Sequence, residues 1–187
     1  YGYSGNANLK PEKSLTYEIG FKSISTLGDI EISIFRNDIE NLIESDGAVM
    51  QNINKARIKG LEINFANKII DNFKYSIKYT YQEPDDITND TMLSRRPRNK
   101  LIATMSKNFS SNNILTVILT GQSKRDNSIY DTHRLGSYLK ADLNYSSKIY
   151  DYDIGFKISN IFDKKYRLAH NYNTEGQSIY LTLMKNF

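Results

Sequence analysis

Phe73-Lys74-Tyr75-Ser76-Ile77-Lys78-Tyr79-Thr80-Tyr81 sets five apolar or aromatic residues on odd positions against Lys74, Ser76, Lys78 and Thr80 on even ones. Strict alternation with period two marks a β-strand whose two faces meet different surroundings. The same period runs outward in both directions. Upstream, Leu15, Tyr17, Ile19 and Phe21 oppose Thr16, Glu18 and Lys22; Ile30, Ile32 and Ile34 oppose Glu31 and Ser33; and Leu61, Ile63 and Phe65 oppose Glu62 and Asn64. Gly60 reads there as a bulge at which the phase slips. Downstream, Leu101, Ala103 and Met105 oppose Lys100, Thr104 and Ser106, while Ile114 to Thr120 is apolar on both sides and leaves its facing open. Leu139, Ala141, Leu143 and Tyr145 oppose Lys140, Asp142 and Asn144; Tyr152, Ile154, Phe156 and Ile158 oppose Asp153, Lys157 and Ser159; and Ile179, Leu181, Leu183 and Phe187 close the chain. These segments make nine strands, and no helical period is visible.

Composition alone reads as a soluble protein. The 187 residues are 39% apolar, mean hydropathy is −0.56, and no stretch approaches the roughly 20 apolar residues of a membrane helix. A transmembrane β-barrel has the same averages, because each strand turns one side to lipid and the other to water. With no cysteine there is no disulfide framework and no thiolate metal site. The 14 Tyr and 8 Phe without any Trp favour strands. A net charge of +4 from 25 basic and 21 acidic residues points only weakly to a polyanionic partner. Tyr1-Gly2-Tyr3 lacks an initiator Met and a signal-like apolar run, so the chain is expected to be either cytoplasmic or a piece of a longer one.

The connections separate the two classes. Short links at Ser23–Gly28, Asn67–Asn72, Ser110–Asn113 and Ser147–Asp151 alternate with long ones at Asp38–Lys55, Gln82–Arg98, Ser123–Ser137 and Phe162–Gly176. An up-and-down meander across an outer membrane sorts its loops by parity in this way. A soluble β-sandwich shares the alternation and has no reason to share the parity. The presumed inner faces carry Lys22, Lys74, Lys78 and Lys157 with Glu18, Glu62 and Asp153, whereas Tyr17, Ile19, Phe21, Tyr75, Ile77, Tyr79, Leu143, Ile154 and Phe156 are expected to face lipid. Tyr79, Tyr81, Tyr145, Tyr152 and Phe187 sit near strand ends, where aromatic girdles lie.

Five motifs fall at strand ends: Gly5-Asn6-Ala7-Asn8-Leu9-Lys10-Pro11-Glu12 before Tyr17-Glu18-Ile19-Gly20; Phe35-Arg36-Asn37-Asp38-Ile39; Ala56-Arg57-Ile58-Lys59-Gly60-Leu61-Glu62; Arg95-Arg96-Pro97-Arg98-Asn99-Lys100-Leu101; and Asn160-Ile161-Phe162-Asp163-Lys164-Lys165-Tyr166. In this order the chain resembles the C-terminal part of the β-barrel of TonB-dependent outer-membrane receptors, over nearly its whole length. The resemblance implies an all-β antiparallel meander forming the last strands of a barrel of about 22 strands. It implies a plug domain and earlier strands outside residues 1–187, and energy relayed by TonB. The ligand would be a scarce nutrient such as a ferric siderophore, haem or cobalamin. The implied setting is the Gram-negative outer membrane with its lipopolysaccharide and a periplasmic C-terminus. Ile179, Leu181, Leu183 and Phe187 would address the barrel-assembly machinery. Lys185 departs from the pattern, since the family usually has an aromatic or apolar residue two places before the terminal Phe, and its side chain is expected to snorkel to the interface.

No catalytic constellation and no cofactor motif is present, so the chain reads as a non-enzyme. His133 and His170 lack metal-site spacing and read as solvated loop residues, with ligand contact as the alternative. Arg95, Arg96 and Arg98 suit carboxylate, phosphate or catecholate recognition; the competing expectation pairs Arg96 and Arg98 with Asp85, Asp86 or Asp90. Tyr130, Arg134 and Tyr172 complete the ligand-contact candidates on the long loops. Interleaved Tyr and Lys would suit RNA, but the RNP-type aromatic motif is missing, so no nucleic-acid partner is expected.

Overall fold

A computed structural model describes residues 5–45, 49–67, 72–128 and 131–186, with the side chains of residues 45, 53, 54, 131 and 132 left out of the description. Tyr130 and Phe187 therefore lie outside the described residues. The strands are β1 (Lys13–Ile24), β2 (Gly28–Ser45), β3 (Met50–Asn67), β4 (Phe73–Asp86), β5 (Thr91–Met92), β6 (Asn99–Ser110), β7 (Asn113–Gln122), β8 (Arg125–Ser128), β9 (Asp131–Leu135), β10 (Tyr138–Ile149), β11 (Tyr152–Ser159) and β12 (Ser178–Lys185). Nine long strands follow one another as an antiparallel meander, β1-β2-β3-β4-β6-β7-β10-β11-β12, with β5 attached to β4 and β8–β9 forming a separate hairpin. Among the described residues there is no helix.

Directly opposed residues in antiparallel strands share a face, so the register sorts the side chains. One row reads Ile30, Phe65, Ile77, Ala103, Leu119, Ala141 across six strands. The row above it reads Phe21, Ile32, Ile63, Tyr79, Leu101, Gly121, Leu139. On the other face run Gly20, Ser33, Glu62, Thr80, Lys100 and Gln122. The facing of β7, undecided from sequence, is settled: Leu115, Val117 and Leu119 join the apolar rows, and Thr116 meets Ser106 on the polar face at 2.9 Å. The apolar face is open. Ile19 is 82% exposed and Leu181 75%, and no second sheet of comparable size exists among the described residues to cover it.

The apolar face ends abruptly towards the long-loop edge. Above Ile19, Ile34 and Leu61 come the rows Tyr17–Arg36–Lys59–Glu83 and Leu15–Asp38–Arg57–Asp85. Asp38 takes Arg36 and Arg57 at 2.7 Å each, and Lys59 meets Glu83 at 2.7 Å.

Two expectations are corrected here. Asp38–Lys55 is not a long loop, since β2 and β3 stay paired out to Ser45 and Met50. The strands outrun the apolar band because Ile39, Leu42 and Ala56 have a partner of their own: they cluster with Leu93, which is fully buried. Gly60 is not a bulge either. The register runs unbroken through Phe35↔Gly60↔Gln82, and the missing side chain makes room for the Phe35 ring, 2.8 Å from where a Cβ would stand.

Candidate ligand-binding loop cluster

The three long connections after β4, β7 and β11 are tied to one another rather than solvated separately. The first is anchored by Asp86, fully buried, whose carboxylate accepts the amides of Thr88 (2.9 Å) and Asn89 (3.1 Å) and the Asn89 side chain (2.7 Å). Leu93 then donates its amide to the Pro84 carbonyl and drops its side chain into the Ile39–Leu42–Ala56 cluster. Arg95, in the left-handed region at φ 56°, donates its amide to the Asp126 carbonyl and its Nε to the Asn127 carbonyl.

The second connection is the hairpin β8–β9. From it the buried Asn127 side chain accepts the amide of His170 at 2.9 Å, and the buried Arg125 donates Nη2 to the Arg167 carbonyl at 3.1 Å. His133 and His170 stack at 3.9 Å between ring centroids, which joins the two loops while His133 stays exposed and His170 half-buried. Tyr138 and Tyr166 add a second ring contact at 4.3 Å. Arg134 pairs with Asp126 at 3.0 Å, and Tyr172 is 71% exposed.

The third connection is closed at its base by the Asn160–Asp163 motif. Asn160 Oδ1 accepts the Lys164 amide, while Asp163 Oδ1 accepts the Gln177 amide at 3.0 Å and Lys165 Nζ at 3.0 Å. Asn160 and Asp163 both have positive φ, which Asn and Asp tolerate better than most residues. Lys165 and the Gln177 amide hold the Asp163 carboxyl below its usual range. Its folded pKa is depressed, so this closure is complete above the ordinary carboxylate pKa of about 4 and is lost as pH falls below it. Hydrogen exchange on the intact protein should show protection of the Gln177 amide, corrected for intrinsic rate, holding down to about pH 4 and falling only below it. In Asp163→Asn the protection should no longer depend on pH.

The expected pairing of Arg96 and Arg98 with nearby acids is not formed among the described residues. Asp86 is spent on its own turn, and Asp85 lies in the row of Arg57 on the other face. The structure thus gathers Arg95, His133, Arg134 and His170 into one assembly with Arg98 on its rim, and leaves Tyr172 outside it. The loops lie over the polar face. Glu62, Thr80, Lys100 and Gln122 from four strands form the floor of a crevice of about 460 Å³ whose walls include Arg95, Arg125 and Leu168. Loops folded over the polar side, with the apolar side bare, match a barrel wall whose lumen is polar.

A family model described as "TonB dependent receptor-like, beta-barrel" matches residues 1–169. The chain belongs to this family of TonB-dependent receptor barrels. It is 30% identical to the vitamin B12 transporter BtuB of Vibrio vulnificus, over 98% of this chain and 31% of that protein. Its fold is also that of a mutant ferric enterobactin receptor of Pseudomonas aeruginosa (TM-score 0.80, 23% identity, 98% of this chain and 32% of that one). The siderophore receptor PirA of Acinetobacter baumannii gives a TM-score of 0.80 at 20% identity, with 98% of this chain and 33% of that one covered. The chain thus spans about a third of the length of the relatives it matches.

Within a TonB-dependent receptor barrel the nine-stranded meander is a portion of an outer-membrane wall. Among the described residues β1 and β12 are the two edges of the meander. Sequence reading missed Arg125, Asn127 and Leu93, the buried residues that lock the loops together. Their partners stand 32 to 43 residues away for Arg125 and Asn127, and no local pattern signals such a contact. Leu93 left one clue: with Ile87 and Met92 it is one of three large apolar residues in an otherwise polar connection.

Proposed function

We propose that residues 1–187 are the C-terminal portion of the barrel of an outer-membrane receptor that takes up a ferric siderophore, cobalamin or haem with energy relayed by TonB. The family match carries this reading, and the gathering of the long loops over the polar face supports it. Arg95, Arg96, Arg98, Tyr130, His133, Arg134, His170 and Tyr172 would surround the entering ligand. The plug domain and the TonB-contacting segment belong to other parts of the receptor. Tyr17, Ile19, Phe21, Tyr75, Ile77, Tyr79, Leu143, Ile154 and Phe156 would face lipid. The Tyr79 and Tyr81 hydroxyls, bonded to Asn99 (2.6 Å) and Glu83 (2.7 Å), suit the lipid–water boundary below the charged rows. Lipopolysaccharide phosphates would meet the cations above that boundary. The C-terminus would be periplasmic, and Ile179, Leu181, Leu183 and Phe187 would address the assembly machinery. The Lys185 amine, 5.9 Å from the Tyr152 ring centroid, fits a snorkelling side chain at the inner boundary.

The test is uptake of radiolabelled cyanocobalamin, haem and ferric siderophores by cells with and without the complete receptor, each with and without functional TonB. Accumulation of one of these that needs both is expected. Accumulation that needs the receptor but not TonB would favour a passive porin-like channel, and no receptor-dependent accumulation would remove the transport reading.

A further inference from the structure

The polar face holds one largely buried charge pair that lies outside the loop cluster. Lys140 and Asp142 stand on β10, and their direct neighbours on β7, Thr120 and Ile118, are uncharged. The two side chains are 20% and 12% exposed, with Lys140 Nζ 2.5 Å from Asp142 Oδ2. Well-packed apolar side chains often serve a fold as well as a buried ion pair does. Stability alone therefore gives little reason for a pair at this place in the wall.

The other carboxylate oxygen supplies a reason. Asp142 Oδ1 accepts the amide of Asn160 at 2.7 Å, where β11 has ended and the third connection leaves the sheet. Asn160 is 2% exposed, and a buried amide needs a protein acceptor. From Asn160 the hold spreads to both stems of the connection. Its side chain accepts the Lys164 amide at 2.9 Å and donates to the carbonyls of Lys164 (3.1 Å) and Glu175 (3.4 Å). The tip is pinned separately, with the Arg167 carbonyl on Arg125 and the His170 amide on Asn127. Asp142 thus carries the base of the connection, and the β8–β9 hairpin carries its tip.

We propose that Asp142 is a positioning residue for ligand capture. It fixes the base of the third connection from the polar wall, so that the stretch from Arg167 to His170 is ordered before a ligand arrives, and Lys140 supplies the counter-charge that lets the carboxylate stay there. Ordering a loop during binding lowers affinity, and a loop ordered beforehand avoids that cost. The proposal rests on these loops being the ligand-facing mouth, and it gives a wall residue that touches no ligand a part in holding one.

The experiment uses the complete receptor in phospholipid nanodiscs, as wild type and as two double variants. Lys140→Met/Asp142→Leu removes the acceptor together with both charges, so that no charge is left buried alone. Lys140→Met/Asp142→Asn removes both charges and keeps a side-chain oxygen for the Asn160 amide. In hydrogen exchange, peptides covering residues 160–177 should exchange at least about tenfold faster in the first variant and within about threefold of wild type in the second. The ladder between Leu143 and Ile158 should be unchanged in both. The same proteins are titrated with cyanocobalamin, haem and the ferric siderophores of the uptake test. A probe that binds wild type should show a Kd at least about fivefold higher in the first variant and within about twofold in the second. Unchanged exchange at 160–177 in the first variant, failure of the second variant to recover, or faster exchange spread evenly through β10 and β11 would each overturn the proposal. A probe that binds wild type and both variants alike would overturn it and leave the uptake reading standing. If no probe binds wild type, the uptake reading falls and the proposal falls with it.

Discussion

Ile77→Arg is expected to destabilise the complete receptor in a phospholipid bilayer by about 2–4 kcal/mol, and Ile34→Arg by no more than about 1 kcal/mol. Both isoleucines lie on the apolar face, and Ile34 is the more exposed, at 65% against 41%. On exposure alone neither substitution would be severe, and the order would depend on local packing. The two differ in height. Ile34 occupies the row next to the charged Tyr17–Arg36–Lys59–Glu83 row, and Ile77 pairs in the row two steps further from it. Four residues along a strand rise about 13 Å, and with the strand tilt that is close to half of an apolar band about 25 Å tall. An arginine at Ile34 reaches water and its own ion-pair network; one at Ile77 has hydrocarbon on every side. Urea unfolding of the receptor in phospholipid vesicles would measure both. Equal costs would contradict the membrane assignment, because a soluble core has no depth axis.

The same rows show how much of the fold the sequence carried. Alternation in β4 requires only that one face differ from the other, and pairing then propagates the phase, because a one-residue slip would turn every apolar side chain to the wrong face. Hence nine strands and their order were legible, as was the resemblance carried by the strand-end motifs. Where alternation is weak the reading stopped early. Asn37, Asp38, Glu40 and Asn41 look like a loop, yet β2 continues through them because Ile39 and Leu42 find Ala56 and Leu93. In the candidate site the residue types were legible and the contacts were not. Arg95 and His170 are recognisable as ligand-class residues, but that both are held by Asn127 follows from three loops closing on one another. No window of sequence contains such contacts.

Gly60→Val sets intrinsic strand preference against packing, and packing is expected to win. Valine is among the best strand formers and glycine among the worst, a difference of up to about 1 kcal/mol in favour of the variant. The geometry opposes it. A Cβ at position 60 would stand 2.3 Å from the Tyr81 carbonyl oxygen and 2.8 Å from the Phe35 ring. The ring could turn away, but the carbonyl belongs to β4 and moves only if the β3–β4 pairing opens. Overpacking of this kind costs typically about 1–3 kcal/mol, and more where the backbone must shift. The affected ladder is also the one that carries the Lys59–Glu83 ion pair and the floor of the crevice at Glu62 and Thr80. The expected result is therefore a marked fall in folded receptor in the outer membrane, read by heat-modifiable mobility on gels. Adding Phe35→Ala should not restore it, since the clash with the carbonyl remains. Full recovery in the double variant would show that the ring alone is the reason for glycine at this position.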